Sequence, residues 1–296
     1  MTRRDLPLSG GRQLSLGVRT LVMGILNVTP DSFFSASRAG GKDEALRFAE
    51  RMVEDGVDLI DIGGESTRPG SGYVDAGEEL ARIIPAIRAI RRHLPIPLSV
   101  DTRRSEIAGP ALDEGADIIN DVSALRDDPA LGILAAERKT PVILMHMRGT
   151  PRSMQKAPFY ADTIAEIVSE LRERVEAAVE CGIGRERLLI DPGIGFGKRL
   201  EDNLLIVREI SRLETLGLPL VIGASRKSFI GQVLSRDGKS VPVEGRLIGS
   251  LAIAAVAAAA GADILRVHDV GETSQIVRMV NAINSVSMET IGELAE

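Results

Sequence analysis

Eight times along this 296-residue chain a short apolar run stops at polar side chains, and a helix-like segment usually follows. The runs lie at residues 20–27, 57–64, 97–102, 117–123, 141–147, 188–191, 219–225 and 262–267. Apolar residues recurring every three or four positions predict helices after them, at 43–54, 77–92, up to about 114, 129–138, 161–180, 203–215, 247–260 and 273–283. The helix at 77–92 is expected to bury Leu80, Ile83, Ile84 and Ile87, and the one at 203–215 to turn Ile206, Ile210 and Leu213 inward. Runs that are apolar throughout fit strands covered on both faces, as in parallel sheets. Eight strand-then-helix units predict a (β/α)8 TIM barrel; a doubly wound open sheet gives no reason for eight. Ahead of them, Gly10-Gly11 within residues 6–16, with Leu14 and Leu16 alternating with polar residues, predicts a short N-terminal β-hairpin over one end. No Pro/Ser-rich linker divides the chain, so residues 1–296 are expected to form one domain.

The stretch 188–198, LLIDPGIGFGK, shows the pattern most sharply. Leu188, Leu189 and Ile190 run into Asp191, followed by Pro192 and the glycines Gly193, Gly195 and Gly197. A carboxylate at the end of a buried strand is costly unless something binds it. Glycines there let backbone approach closely. Alone, the stretch reads as a strand, a turn and a capping Asp. The other strand ends change that reading: Asn27; Asp61 leading to Glu65; Asp101; Asn120 and Asp121; His146; Ser225-Arg226-Lys227-Ser228; and Arg266 with His268. A barrel gathers all of them at one mouth. Asp101, Asn120 and Asp191 suit a flat heterocycle rich in N–H groups. Arg68, Arg226, Lys227 and Arg266 suit phosphate or carboxylate. Arg266 and His268 fall on the same side of their strand.

Several residues have plainer readings. Asp121 is expected to cap a helix, Glu65 to pair with a loop arginine, and His146 to be structural or to support residues that touch a ligand. Cys181 and His93 show no evident role. The net charge of −6 argues against a nucleic-acid partner, so an anionic ligand needs a local basic cluster. A single cysteine excludes an intramolecular disulfide and fits a cytoplasmic protein. The opening residues lack the apolar core of a signal peptide, and the apolar run at 247–262, interrupted by Gly249, Ser250 and Gly261, is too short to span a bilayer. Familiar motifs fail. Lys198 stands where a dinucleotide loop needs its third glycine, and Val233 where a P-loop needs its first. There is no HExxH and no nucleophile elbow.

The strand-end blocks carry a resemblance. Met23-Gly24-Ile25-Leu26-Asn27-Val28-Thr29-Pro30-Asp31-Ser32-Phe33 resembles the first signature of the dihydropteroate synthases, the folate-pathway family that sulfonamides inhibit. DIGGESTRPG at 61–70 resembles the second. Ser99–Thr102, Ile119–Val122, 146–151, 191–198 with Asn203, 225–229 and 266–270 follow in family order. The resemblance implies a barrel enzyme that condenses a dihydropterin-methyl diphosphate with p-aminobenzoate through a dissociative, cationic pterin. It implies that Asp101, Asn120, Asp191, Lys227, Met145, Phe196 and Gly223 hold the pterin. Thr67, Arg68, Arg266 and His268 would hold the diphosphate, with Mg2+ at Asn27. Phe33, Thr67, Pro69, Arg226 and Ser228 would line the p-aminobenzoate site, and Asp31, Arg68, Lys227 and Arg266 would serve catalysis. The family's small-molecule substrates and its homodimers through late helices are expected too, with the alanine-rich segment 247–260 at the interface. Ser35-Ala36-Ser37-Arg38 departs from the family's usual short Asp-Gly-Gly turn. The glycine-rich loops at 27–41 and 63–77 are expected to order when diphosphate binds. Two other readings share parts of this pattern: a methyltetrahydrofolate-dependent methyltransferase, which would not need Thr67-Arg68-Pro69, and a pterin-binding paralogue without synthase activity.

Overall fold

A computed structural model of the protein describes residues 3–28, 41–65, 74–150 and 153–286. The strands are β1 (Arg4–Pro7), β2 (Gln13–Leu16), β3 (Leu21–Asn27), β4 (Leu59–Gly63), β5 (Leu98–Asp101), β6 (Ile118–Asp121), β7 (Val142–Met145), β8 (Leu188–Asp191), β9 (Val221–Ile222) and β10 (Ile264–Val267). The described helices are α1 (Gly41–Glu54), α2 (Ala76–His93), α3 (Ser105–Asp113), α4 (Pro129–Arg138), α5 (Thr163–Glu180), α6 (Leu200–Arg208), α7 (Ser228–Val233), α8 (Leu247–Ala259) and α9 (Val270–Ser285).

β3 to β10 form one parallel sheet in the order β8-β7-β6-β5-β4-β3-β10-β9. A parallel bridge between Ile190 and Leu220 joins its two ends, with Ile190 N donating to Pro219 O at 3.0 Å. The expected barrel is therefore present and nearly closed. β9 is the short member, well inside the expected 219–225. Pro219 has no N–H to give, and Leu220 N donates to the Asp263 carboxylate at 2.8 Å instead of to a neighbouring strand.

The helices largely follow the apolar periodicity. Asp75, Asp128 and Asp162 cap α2, α4 and α5 through backbone N–H groups of Gly77, Ala130 and Ala165. Of the residues expected to face inward on α2, Ile83 and Ile87 are buried with Ile90, while Leu80 and Ile84 are half-buried. The single helix expected over 203–215 divides at Glu209, with α6 before it and a 3-10 segment, Ile210–Leu216, after it. Ile210, Leu213 and Leu216, all buried, recur every third residue, the period of a 3-10 turn. The short helix α7 has no counterpart among the expected elements.

β1 and β2 pair antiparallel, with Leu6 opposite Leu14. Leu6, Leu8, Leu14 and Leu16 pack with Leu21, Met23, Leu59, Ile118, Ile143, Leu189, Val221 and Ile264. Many of these open their strands, so the hairpin plugs the N-terminal end of the barrel. Asp117, fully buried, accepts from Arg12 and from Arg91 (2.7 Å) and ties the plug to the wall. The main core lies between strands and helices. The opposite end is left for polar chemistry.

Candidate active site at the mouth of the barrel

Strand register sets the polar residues side by side. Gly63 pairs with Asp101, Asp101 with Asn120, and Met145 with Asp191. Arg266, one residue before β10 ends, reaches inward to two carboxylates. Its Nε donates to Asp61 Oδ2 at 2.6 Å and its Nη2 to Asp101 Oδ2 at 2.7 Å. Asn120 Nδ2 donates to the same Asp61 oxygen at 3.0 Å. Burial pushes the Asp101 carboxyl up to about 7, against the pull of Arg266.

Across the mouth, Asp191 Oδ1 accepts from Gly193 N at 2.7 Å. Burial raises its pKa too, while Lys227, Arg266 and Lys198 act the other way. Lys227 Nζ donates to Ile194 O and lies 4.6 Å from the centroid of the Phe196 ring. Burial pulls its pKa down to about 8. Two bare α-carbons keep space between these groups. A Cβ at Gly223 would lie 3.6 Å from Asp191 Oδ2 and 3.8 Å from Arg266 Cβ. One at Gly63 would lie 3.6 Å from Asn27 Oδ1 and 3.5 Å from Asp101 Cβ.

The loop after β8 is wedged against the one after β7. Gly193 has φ +66°, and a Cβ there would sit 1.9 Å from His146 O. Only glycine permits that approach. Beneath it, buried Lys198 donates to His146 Nδ1 (2.9 Å) and Phe196 O (3.0 Å), which fixes Phe196 under Lys227. His146 passes the contact on through Nε2 to Glu170 Oε2 at 2.9 Å. Burial, then the nearby Lys198, hold the His146 pKa down to about 4, and burial draws Lys198 down to about 7. An ammonium donating to Nδ1 leaves Nε2–H to face Glu170. His146 thus braces Lys198, which in turn holds the loop that carries Phe196.

The structure brings Asp101, Asn120, Asp191, Lys227, Arg266, Met145, Phe196, Gly223 and Asn27 to this end. His268 is there as well, exposed, with Nδ1 3.0 Å from Ser225 Oγ. Arg226 behaves differently from the basic cluster expected of it. Its backbone is left-handed (φ +55°), and its guanidinium grips Asp269 (2.9 and 2.7 Å) and Val243 O (2.9 Å). Ser228 opens α7 and is exposed. Asp31, Phe33, Thr67, Arg68, Pro69 and Ser35–Arg38 lie outside the described residues, as do most of the two loops expected to order on binding. Asp121 is a cap for its own loop rather than for a helix. It accepts from Ser123 N (2.7 Å) and Leu125 N (2.6 Å), in a stretch where Ala124 and Leu125 are left-handed. Glu65 pairs with Arg103 at 3.1 Å. Cys181 and His93 are exposed at helix ends.

Two central residues were given no role from the sequence, although Asp61 stood among the polar strand ends. Asp61 interrupts a buried strand in the manner of Asp191, so its signal was present. Lys198 looks like any loop lysine until the fold encloses it.

Among the described residues no three His, Cys, Asp or Glu side chains cluster as metal ligands, and no helix is long and apolar enough to cross a membrane. A parallel barrel whose mouth sets buried acceptors beside half-buried cations, Asp101 and Asn120 near Arg266 and Asp191 near Lys227, suits an enzyme that takes a flat heterocycle beside an anion. Residues 23–268 match the family described as pterin binding enzyme. The dihydropteroate synthase of Synechocystis sp. is 45% identical over 278 residues, 94% of this chain and 95% of the relative. The structure of Xanthomonas albilineans dihydropteroate synthase with 4-aminobenzoic acid is 44% identical, with a TM-score of 0.87 over 97% of this chain and 100% of that one. The same organism's enzyme in complex with 7,8-dihydropteroate gives 41% and 0.85, over 96% and 100%. The chain belongs to the pterin binding enzyme family and, within it, to the dihydropteroate synthases.

Proposed function

We propose that the chain condenses (7,8-dihydropterin-6-yl)methyl diphosphate with p-aminobenzoate, giving 7,8-dihydropteroate and diphosphate. The observation that carries this reading is the pairing, across Gly223, of Asp191 and Lys227 with the Arg266–Asp101–Asp61–Asn120 network. Asp101, Asn120 and Asp191 would accept hydrogen bonds from the pterin edge, with Met145 and Phe196 against its faces. Arg266 and His268, joined by Thr67 and Arg68, would bind the diphosphate. The C–O bond to diphosphate breaks with its electron pair leaving on diphosphate, and a pterinylmethyl cation forms. The arylamine nitrogen then bonds to that carbon and loses a proton to solvent. Buried carboxylates beside the ring stabilise the cation, and cations beside the leaving group stabilise its charge. The arylamine attacks without prior deprotonation, so the site needs no general base.

Asn27 supplies one neutral oxygen near Gly63, and no carboxylate cluster surrounds it among the described residues. That donor set fits a Mg2+ that arrives already bound to diphosphate and water rather than one caged by protein. When bound, Mg2+ would supply further charge neutralisation on the leaving group, with Asn27 as its one contact from the described residues near Gly63. Ser228 at the start of α7, with Phe33, Thr67 and Pro69, would form the p-aminobenzoate site, and the Asp269 clamp would steady Arg226 at its edge. We read the chain as one cytoplasmic domain that pairs with a second copy through α8 and α9. Incubation with both substrates and Mg2+, followed by chromatography for 7,8-dihydropteroate, tests the reaction. Absence of product from folded protein that still binds a pterin would favour a binding paralogue.

A further inference from the structure

We propose that Asp61, a fully buried carboxylate, is the positioning residue that fixes which edge of the Asn120 amide faces the pterin. The inference rests on the pterin reading of this pocket. Asp61 has no exposed surface, so a ligand does not reach it. Its Oδ2 accepts from both Asn120 Nδ2 and Arg266 Nε. An ionised carboxylate has only acceptors, so the amide must turn its NH2 toward Asp61. The flipped amide would set a carbonyl oxygen against an anion. Asn120 therefore keeps its Oδ1 for the mouth, where the pocket gains an acceptor suited to a ring N–H. The contact crosses β5 to reach from β4 to β6, and Arg266 extends it to β10, so one side chain holds two ligand-facing groups from opposite sides of the barrel.

Asp61 Oδ1 is buried with no hydrogen-bond partner, and Ser99 Oγ, on the residue paired with Asp61 in the next strand, has none either. Bare buried oxygens destabilise a fold. The other oxygen, Oδ2, carries both hydrogen bonds that orient Asn120 and Arg266.

Replacing Asn120 by Asp gives a direct test. Protonated, the introduced carboxyl would donate its O–H to Asp61 and keep its C=O at the mouth. Ionised, two carboxylates would meet and repel at hydrogen-bonding distance, so binding should weaken as pH rises. The charged groups around this position are Asp61 on β4, Asp101 on β5, Asp121 on β6, Asp191 on β8, Lys227 after β9 and Arg266 on β10. 6-Hydroxymethylpterin is titrated into the wild type, Asn120→Asp, Asp61→Asn and the double variant from about pH 5.5 to about pH 9. Relative to the wild type, affinity in Asn120→Asp should fall about tenfold or more from the acid to the alkaline end, and that extra fall should vanish in the double variant. Asn120→Asp tracking the wild type at every pH, or keeping its extra fall when Asp61 is neutral, would overturn the proposal. A wild-type protein that ignores the pterin would overturn the pterin reading and this inference together. Should Asn120→Asp not fold, a cycle with Asn120→Ala serves. Asp61→Asn should weaken binding about tenfold with Asn120 present and much less with Asn120→Ala, whereas equal losses would overturn the proposal.

Discussion

Asp191 and Lys198 sit seven positions apart in sequence and hold the same loop from two sides. Asp191 has one carboxylate oxygen committed to Gly193 N, while the other lies nearest the open floor at Gly223. Asp191→Asn keeps the shape but turns one acceptor into a donor. Facing ring N–H groups, that donor should cost about 1–3 kcal/mol of pterin affinity, measurable by calorimetric titration. Lys198 makes a different prediction. Its pKa is drawn from the ordinary 10.5 to about 7 by burial. Between those values the unfolded chain binds a proton that the folded chain has released. Lys198 therefore makes stability rise with pH across that window, and below it the buried ammonium is simply a cost. Lys198→Met should flatten the rise, as read from urea unfolding near pH 7 and near pH 9.5. Slopes identical to the wild type would place the ammonium in water.

The N-terminal hairpin and the mouth are opposite ends of one barrel, which separates stability from binding. Leu16 is buried among residues that fill the lower barrel. Leu16→Ala should cost about 2–5 kcal/mol in denaturant unfolding. Pterin affinity should stay at its wild-type value under conditions where the variant is folded, because among the described residues none of the candidate ligand-facing side chains belongs to the cluster that packs on the plug. A parallel loss of affinity would mean that the hairpin also sets the geometry of the mouth.

At the scale of the whole molecule, α8 and α9 carry apolar side chains outward. Ile248 is 73% exposed, Met279 64% and Ile283 63%. Such a face fits a symmetric contact with a second copy. The protein should scatter light as a dimer at micromolar concentration, and Ile248→Glu should shift it toward monomer. A wild-type monomer at that concentration would remove the proposed pairing.

The sequence by itself determined the architecture and which polar residues close the barrel strands. Strand runs such as 188–191 and helices such as 129–138 are specified by local periodicity and capping, so their bounds were legible to the residue. The ends of strands were legible as candidate site positions because a polar residue that closes a buried run needs a bound partner to offset its lost hydration. The hairpin was legible from two glycines and alternating leucines. Only the tertiary structure decided what each polar group touches. Arg226 was pooled with the pocket's cations by its neighbours in sequence, yet its guanidinium turns to Asp269 and Val243 in later segments. Lys198 became a buried ammonium through packing against His146, 52 positions earlier. Asp61 became the hub of Asn120 and Arg266 because ring closure brings β4, β6 and β10 to one axis. Burial and partner choice depend on which strands close upon one another, and those contacts lie 59 and 205 positions apart, beyond any local pattern.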